Sequence, residues 1–173
     1  MKRKVSFYEI IKRMNKLNIL HRIHIHKQAV KNGLYLGQLP ILEYVESHDQ
    51  CTQREVADFM EVSPPSIATS VKRMQKAGLL LKAADKSDLR YNRLTITEKG
   101  REISRKCRKD FDEIDAKLFS GFSEQECEQL RGYFERMIAN MSTDELANKN
   151  FFSLIAEEKK LLDQQNKEGE NGN

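Results

Sequence analysis

The chain has no tryptophan, three prolines and three cysteines in 173 residues, and each shortage removes a class of protein. Cys51, Cys107 and Cys127 show no paired spacing, and an odd number of thiols does not build a disulfide scaffold, so reduced cysteines are expected. No apolar run reaches the length of about 18–20 residues needed to cross a bilayer. The basic start of the chain is not followed by the continuous apolar segment of a signal peptide, so no membrane partner and a cytoplasmic location are expected. Catalytic patterns are missing too: no Gly-rich phosphate loop, no Gly-x-Ser-x-Gly, and no carboxylate pair converging near a histidine. Neither an enzyme nor a resident cofactor is expected.

What is plentiful is charge, at 32% of residues, with a modest net value of +4 that is unevenly placed. Residues 1–31 carry nine Lys or Arg against the single acid Glu9, whereas 157–170 are net acidic. A basic end suits nucleic acid, but solvated surface charge is the commoner origin of such a run, so it serves only as support. The length fits one domain with a real core plus extensions.

The most informative stretch is 52–78. Thr52 and Glu55 have the spacing of a capping box, in which hydroxyl and carboxylate satisfy free N–H groups at a helix start. This first helix buries Val56, Ala57 and Met60 and stops near Glu61 and Val62. A second helix begins with Ser63 as cap and Pro64 at its first position, and Gly78 ends it. Ile67, Val71 and Met74 form its inward stripe, leaving Ser66, Thr69, Ser70, Lys72, Arg73 and Lys76 outward. No acid lies between Ser63 and Ala77. Two short helices joined by a tight turn, with a basic second face, are the form a protein lays into a DNA groove.

Directly after it, 79–84 and 93–97 are apolar or alternating runs around the polar loop Asp85-Lys86-Ser87-Asp88-Leu89-Arg90-Tyr91-Asn92, which predicts a β-hairpin. A helix-turn-helix followed by a hairpin is a winged helix, and Lys86 and Arg90 would stand on the wing, within reach of a minor groove. Arg90 is read as a groove residue, with pairing to Asp88 inside the wing as its structural alternative.

The run from Asp85 to Arg90, then Leu94-Thr95-Ile96-Thr97-Glu98-Lys99-Gly100, resembles the wing signature of the MarR family of bacterial transcriptional regulators. That pattern is roughly D-x-R-D-x-R, then L-x-L-T-x-x-G, and Ser87 stands where it has an arginine. The resemblance covers about residues 10–142, with turn-helix, wing and flanking helices in the family's order. It implies a dimeric, sequence-specific DNA-binding regulator, usually a repressor, modulated by a small ligand held between wing domain and dimerisation helices. Candidate pocket residues are Leu17, His21 and His24 of the first helix, Leu39 and Leu42 of the second, and Ile103 of the long helix.

Flanking elements agree. Ser6 and Glu9 have capping-box spacing and open a helix to about Lys31, ended by Gly33; 38–47 forms another, with Leu39, Leu42 and Val45 inward. Thr97 caps a long helix whose stripe is Ile103, Cys107, Phe111, Ile114 and Leu118, broken at Gly121. Ser123 and Glu126 open one more, carrying Cys127, Leu130, Phe134, Met137, Ile138 and Met141. The expected fold is mostly α with a small β-hairpin wing, a winged helix-turn-helix flanked by long dimerisation helices. Its parts are an N-terminal dimerisation helix (1–33), the DNA-binding region (34–100), C-terminal dimerisation helices (101–142) and an extension (143–173). In the extension, helix is expected over 143–164, burying Leu146, Ile155, Leu161 and Leu162, and disorder from Gln164 onward.

The long apolar stripes exceed what one small chain can cover, so a homodimer is expected, with Phe7, Ile10, Phe111, Ile114, Leu118, Phe122, Leu130, Phe134, Met137 and Ile138 at its interface. Two recognition helices about one helical turn apart, roughly 34 Å, would read the half-sites of a palindromic operator in double-stranded DNA. Candidate DNA contacts are Thr52, Gln53, Ser63, Pro65, Ser66, Thr69, Ser70, Lys72, Arg73 and Lys76, with Lys86, Ser87 and Arg90 of the wing. His21 and His24, three apart, have the spacing of two metal ligands but no further partners, so no metal site is assigned. Cys107 and Cys127 sit on stripes as small hydrophobes, and Cys51 precedes a helix start that would lower its pKa somewhat. The reading from a different class is a winged-helix module whose exposed face binds protein rather than DNA.

Overall fold

Helices in this chain open where a side chain can take the free N–H groups, and the computed structural model shows which candidates do so. It describes residues 6–35, 37–85 and 92–170, the side chains of 165–170 excepted. Thr52 makes the full capping box with Glu55 and starts α3 (Gln53–Met60); Ser123 does the same with Glu126 for α6 (Glu124–Met141). Thr97 Oγ1 accepts the Gly100 N–H at the head of α5 (Glu98–Leu118). Ser63 and Pro64 open α4 (Pro64–Lys76), but Ser63 Oγ meets Ser66 Oγ at 2.9 Å and makes no backbone cap bond. Ser6 precedes α1 (Phe7–Lys31) without a cap bond at all, so the expected box with Glu9 does not form. The Glu9 carboxylate turns instead to Arg13, one turn on, where a charge-assisted bond outcompetes a neutral backbone donor.

Between α1 and α3 lies α2 (Gln38–Ser47), followed by a strand too short for any periodicity to announce, β1 (Cys51–Thr52). It pairs antiparallel with β3 (Asn92–Ile96), which pairs on its other side with β2 (Leu80–Ala84), giving sheet order β1-β3-β2. The wing register runs from Leu80 opposite Ile96 to Ala84 opposite Asn92. Lys86, Ser87 and Arg90, with Asp88, lie outside the described residues.

The core sits where α2, α3 and α4 meet the sheet and the start of α5. Leu42, Val45, Val56, Val71, Met74 and Leu94 are fully enclosed, with Cys107 joining them from α5. The stripes predicted for α3 and α4 are therefore the ones buried. Where α4 turns into β2, Gly78 holds φ +73, a conformation nearly free of cost only for glycine. Above that turn α5 comes so close that Gly100 has no room for a side chain: a Cβ there would lie 2.3 Å from the Leu79 carbonyl oxygen.

The long helices are different in kind. α1 packs along α5, tied by Gln28 Nε2 and Asn32 Nδ2, which both donate to Asp110 Oδ2 at 2.6 and 2.7 Å. Arg108 holds α5 to α2 through two bonds of 2.7 Å to Glu43. Yet Ala29 is the one buried residue of α1, and α6 has none. The extension departs from expectation. Residues 143–150 form a turn over 144–148 and irregular chain rather than helix, and α7 (Phe151–Glu170) begins where Asn150 Oδ1 accepts the N–H groups of Phe152 and Ser153. It continues past Gln164, where disorder was expected, because Gln, Lys and Glu are all tolerant helix formers. Ile155, Leu161 and Leu162 stay exposed; Phe152 and Ser153 make the contact with the body instead.

Candidate nucleic-acid interface

The outer face of α4 is open to solvent along its length. Ser63, Pro65, Ser66, Thr69, Lys72, Arg73 and Lys76 are exposed and Ser70 is half-buried. Three cations with no acid on the helix make it a positive surface, and short hydroxyls beside them permit close approach to a phosphate or a base edge. Internal bonds already decide part of what this face can offer. Thr69 Oγ1 donates to the Pro65 carbonyl at 3.0 Å, so its hydroxyl meets a ligand as an acceptor and its methyl as an apolar contact. The Arg73 guanidinium lies over the ring of Tyr35, 5.1 Å from the centroid.

Thr52 and Gln53 flank α4 at the start of α3, both half-buried. The Thr52 hydroxyl is spent within the capping box, donating to Glu55 Oε2 at 2.9 Å. These bonds from the Thr52 backbone and side chain hold the Glu55 carboxyl below its ordinary pKa. Gln53 accepts from Lys82 Nζ at 3.2 Å, which brings a strand lysine to the same edge as α4. At the base of the wing, Arg93 donates from Nε to Asp85 Oδ2 at 2.5 Å and from Nη1 to the Gln50 carbonyl at 3.2 Å. Arg93 is thus a brace for the wing root. Tyr35, Lys82 and Arg93 went unnoticed in the sequence because they lie outside the turn-helix pattern, and only folding brings them to it.

The pocket candidates do not share one environment. Leu39 and Leu42 are 3% and 0% exposed, so they belong to the core and reach a ligand only if α2 shifts. Leu17 lies on an open side of α1, 43% exposed, and Ile103 is half-buried against the core. His21 Nε2 meets Asp115 Oδ1 at 2.7 Å, while His24 faces solvent. Among the described residues, no three His, Cys, Asp or Glu side chains gather as a metal site would need.

The interface candidates keep to the outside of the body. Ile114, Leu118, Leu130, Phe134 and Met137 are half-buried, Phe7, Ile10, Phe122 and Ile138 are exposed, and Phe111 packs against the core. The thiols require a correction. Cys51 is buried, and desolvation together with the nearby Glu55 carboxylate pushes it up to about 11, opposite to the lowering expected from a helix start. Cys107, buried as well, is raised mainly by desolvation.

Residues 32–90 match the sequence model of the MarR family. The HTH-type transcriptional regulator BilQ of Clostridium symbiosum is 32% identical over 100 residues, which span 58% of this chain and 69% of that protein. Among solved structures, the YusO protein from Bacillus subtilis superimposes with a TM-score of 0.66 at 20% identity, over 80% of this chain and all of that one. A mutant of S. aureus MepR bound to an oligodeoxyribonucleotide gives a TM-score of 0.57 at 21% identity, again over 80% of this chain and all of its own. At these identities the structural likeness speaks for the fold. No helix among the described residues is long and apolar enough to cross a membrane.

Proposed function

The chain belongs to the MarR family of winged-helix transcriptional regulators, and we propose that it works as a homodimeric repressor whose paired α4 helices bind the half-sites of a palindromic operator. The observation that carries this reading is the outer face of α4, where Lys72, Arg73 and Lys76 stand exposed with no acid among them. The oligonucleotide bound to the MepR mutant supports the choice of DNA over protein as the partner of that face. Support for the dimer comes from α6, an 18-residue helix in which no residue is fully buried and Leu130, Phe134 and Met137 are only half-covered, and from the exposed apolar side chains of α1.

Regulation by a small ligand fits this arrangement. A ligand wedged where α1 and α5 approach the wing domain would change the spacing of the two α4 helices, and coupling of about 1–3 kcal/mol suffices to release DNA. Leu17, His21, His24 and Ile103 are the side chains that such a site would draw on first, with Leu39 and Leu42 behind them. The wing residues Lys86, Ser87 and Arg90 would add contacts to the flanking minor groove.

The test is a fluorescence-anisotropy titration of a duplex selected by the protein from a random pool, repeated over a range of salt. Affinity should fall as salt rises, and Lys72→Ala should reduce the salt slope by roughly one unit while leaving sequence preference unchanged. Equal affinity for the selected duplex and a scrambled one, at every salt concentration, would remove the regulator reading.

A further inference from the structure

We propose that Tyr35, in the connection between α1 and α2, is a positioning residue of the DNA interface: its ring holds the Arg73 guanidinium ready for the groove. The inference rests on the DNA-binding role of α4. Arg73 is otherwise a long, exposed side chain that must give up rotamer freedom before it can make a directed contact. The guanidinium carbon lies over the Tyr35 ring at 5.1 Å from its centroid, within the distance at which a cation is attracted to an aromatic face. A guanidinium can rest on an aromatic face and still turn N–H donors, which lie in its own plane, toward a guanine edge or a phosphate.

The ring can serve as a platform because the connection that carries it is fixed on both sides. Leu34 is buried at 2% exposure, and its N–H donates to the Ala29 carbonyl at 2.9 Å. The Tyr35 N–H donates to Oε1 of Gln38 at 2.9 Å, and the Gln38 N–H returns to the Tyr35 carbonyl at 3.1 Å. Gln38 itself is only 3% exposed, so a buried amide spends its acceptor on locking this one residue. Tyr35, by contrast, is 59% exposed although its backbone N–H and carbonyl are both bonded to Gln38. An exposed aromatic held in this way has no core to serve. The stiff backbone and the Arg73 cation above the ring give it a purpose.

The experiment compares the parent protein with Tyr35→Leu, Tyr35→Phe, Arg73→Ala and the Tyr35→Leu/Arg73→Ala double variant, on a duplex that the parent selects from a random pool and on a scrambled one. Tyr35→Leu should weaken binding to the selected duplex by about two- to five-fold, the range of an exposed cation–π contact. Tyr35→Phe should stay close to the parent, because the ring and not the hydroxyl is at work. The double variant should bind no more weakly than Arg73→Ala alone. Proton spectra supply a readout independent of DNA: Arg73 side-chain signals should be shifted by the ring current in the parent and in Tyr35→Phe, and should lose that shift in Tyr35→Leu. Binding by Tyr35→Leu equal to or tighter than the parent overturns the proposal, as does additivity of the two substitutions or a Phe variant as weak as the Leu one. If the parent distinguishes no duplex from a scrambled one, the DNA reading fails, and Tyr35 loses its role with it.

Discussion

Replacing Gly100 by alanine should destabilise this protein, although it puts the best helix former in place of one of the worst inside a helix. In an open helical position the exchange is favourable by about 1 kcal/mol. At Gly100 the new Cβ would stand 2.3 Å from the Leu79 carbonyl oxygen and 2.8 Å from Ile96 Cγ1. Relief requires the α5 backbone or the α4–β2 turn to move by about 1 Å, and neither is free to do so, since interiors are close-packed. The Leu79 carbonyl accepts the Thr97 N–H at 3.0 Å, and the Thr97 hydroxyl, which donates chiefly to the Gly78 carbonyl at 2.7 Å, caps Gly100 at 3.0 Å. Overpacking costs about 1–3 kcal/mol and loss of the cap about 1, against the gain of about 1 in propensity. The net is a loss of roughly 1–3 kcal/mol, or a fall in Tm of roughly 2–12 °C for a chain of this size. Urea unfolding at one fixed protein concentration reads it. Gly132→Ala is the internal control: it sits in α6 with nothing within 4 Å of its Cβ position, on the side away from Leu130, Phe134 and Met137. It should be neutral or stabilising. A Gly100→Ala protein as stable as the parent would refute the close-approach argument.

Phe134→Asp should shift the protein from dimer to monomer in sedimentation at micromolar concentration while the α2–α4 core stays folded, because this side chain is only half-buried among the described residues and stands outside that core; a parent that already sediments as a folded monomer would sink the dimer. Replacing Cys51, Cys107 and Cys127 together by Ala should leave DNA affinity as insensitive to peroxide as in the parent, given two buried thiols with raised pKa values. If peroxide releases the parent and Cys51→Ser abolishes that release, the thiol is a switch after all. The Glu55 carboxyl is held below its ordinary value near 4.5, first by the Thr52 N–H and then by the Thr52 side chain. A depressed carboxylate stabilises the fold above its unfolded pKa and loses that contribution as pH falls through the folded one. Thermal melts between pH 6 and about pH 3 should therefore fall less steeply for Glu55→Gln than for the parent, and parallel slopes would contradict the capping-box argument.

The sequence was most legible where a local rule and a tertiary requirement agree. Thr52 and Glu55 obey the capping spacing, and the helix they open buries its stripe of Val56, Ala57 and Met60, so neither signal had to be overruled. Ser6 and Glu9 obey the same spacing, but an arginine one turn on claimed the carboxylate. Gly100 was legible only as the last letter of a family signature; its reason, the approach of α5 to Leu79, is a fact of packing. What sequence periodicity could not show was short or long-range. β1 is two residues long, and Tyr35 gains its neighbour only when the α1–α2 connection folds back onto α4. Cys51 misled because proximity to a helix start is visible in sequence, whereas the burial that outweighs it is not. The start of α7 depended on Asn150 reaching two backbone N–H groups, one cap among many polar residues that could have served.

Selection of bound duplexes from a random pool, followed by titration of the winning sequence with parent, Arg73→Ala and Arg90→Ala proteins over a range of salt, bears most directly on the assignment of α4 as the reading element. Enrichment of a two-fold symmetric sequence is expected, bound by two chains, with half-site centres about one helical turn apart. Arg73→Ala should change which bases are preferred in each half-site, whereas Arg90→Ala should weaken selected and scrambled duplexes alike and lower the salt slope by roughly one unit. A pool that yields no enriched sequence, or a selected duplex that Arg73→Ala binds with unchanged affinity and preference, would contradict it.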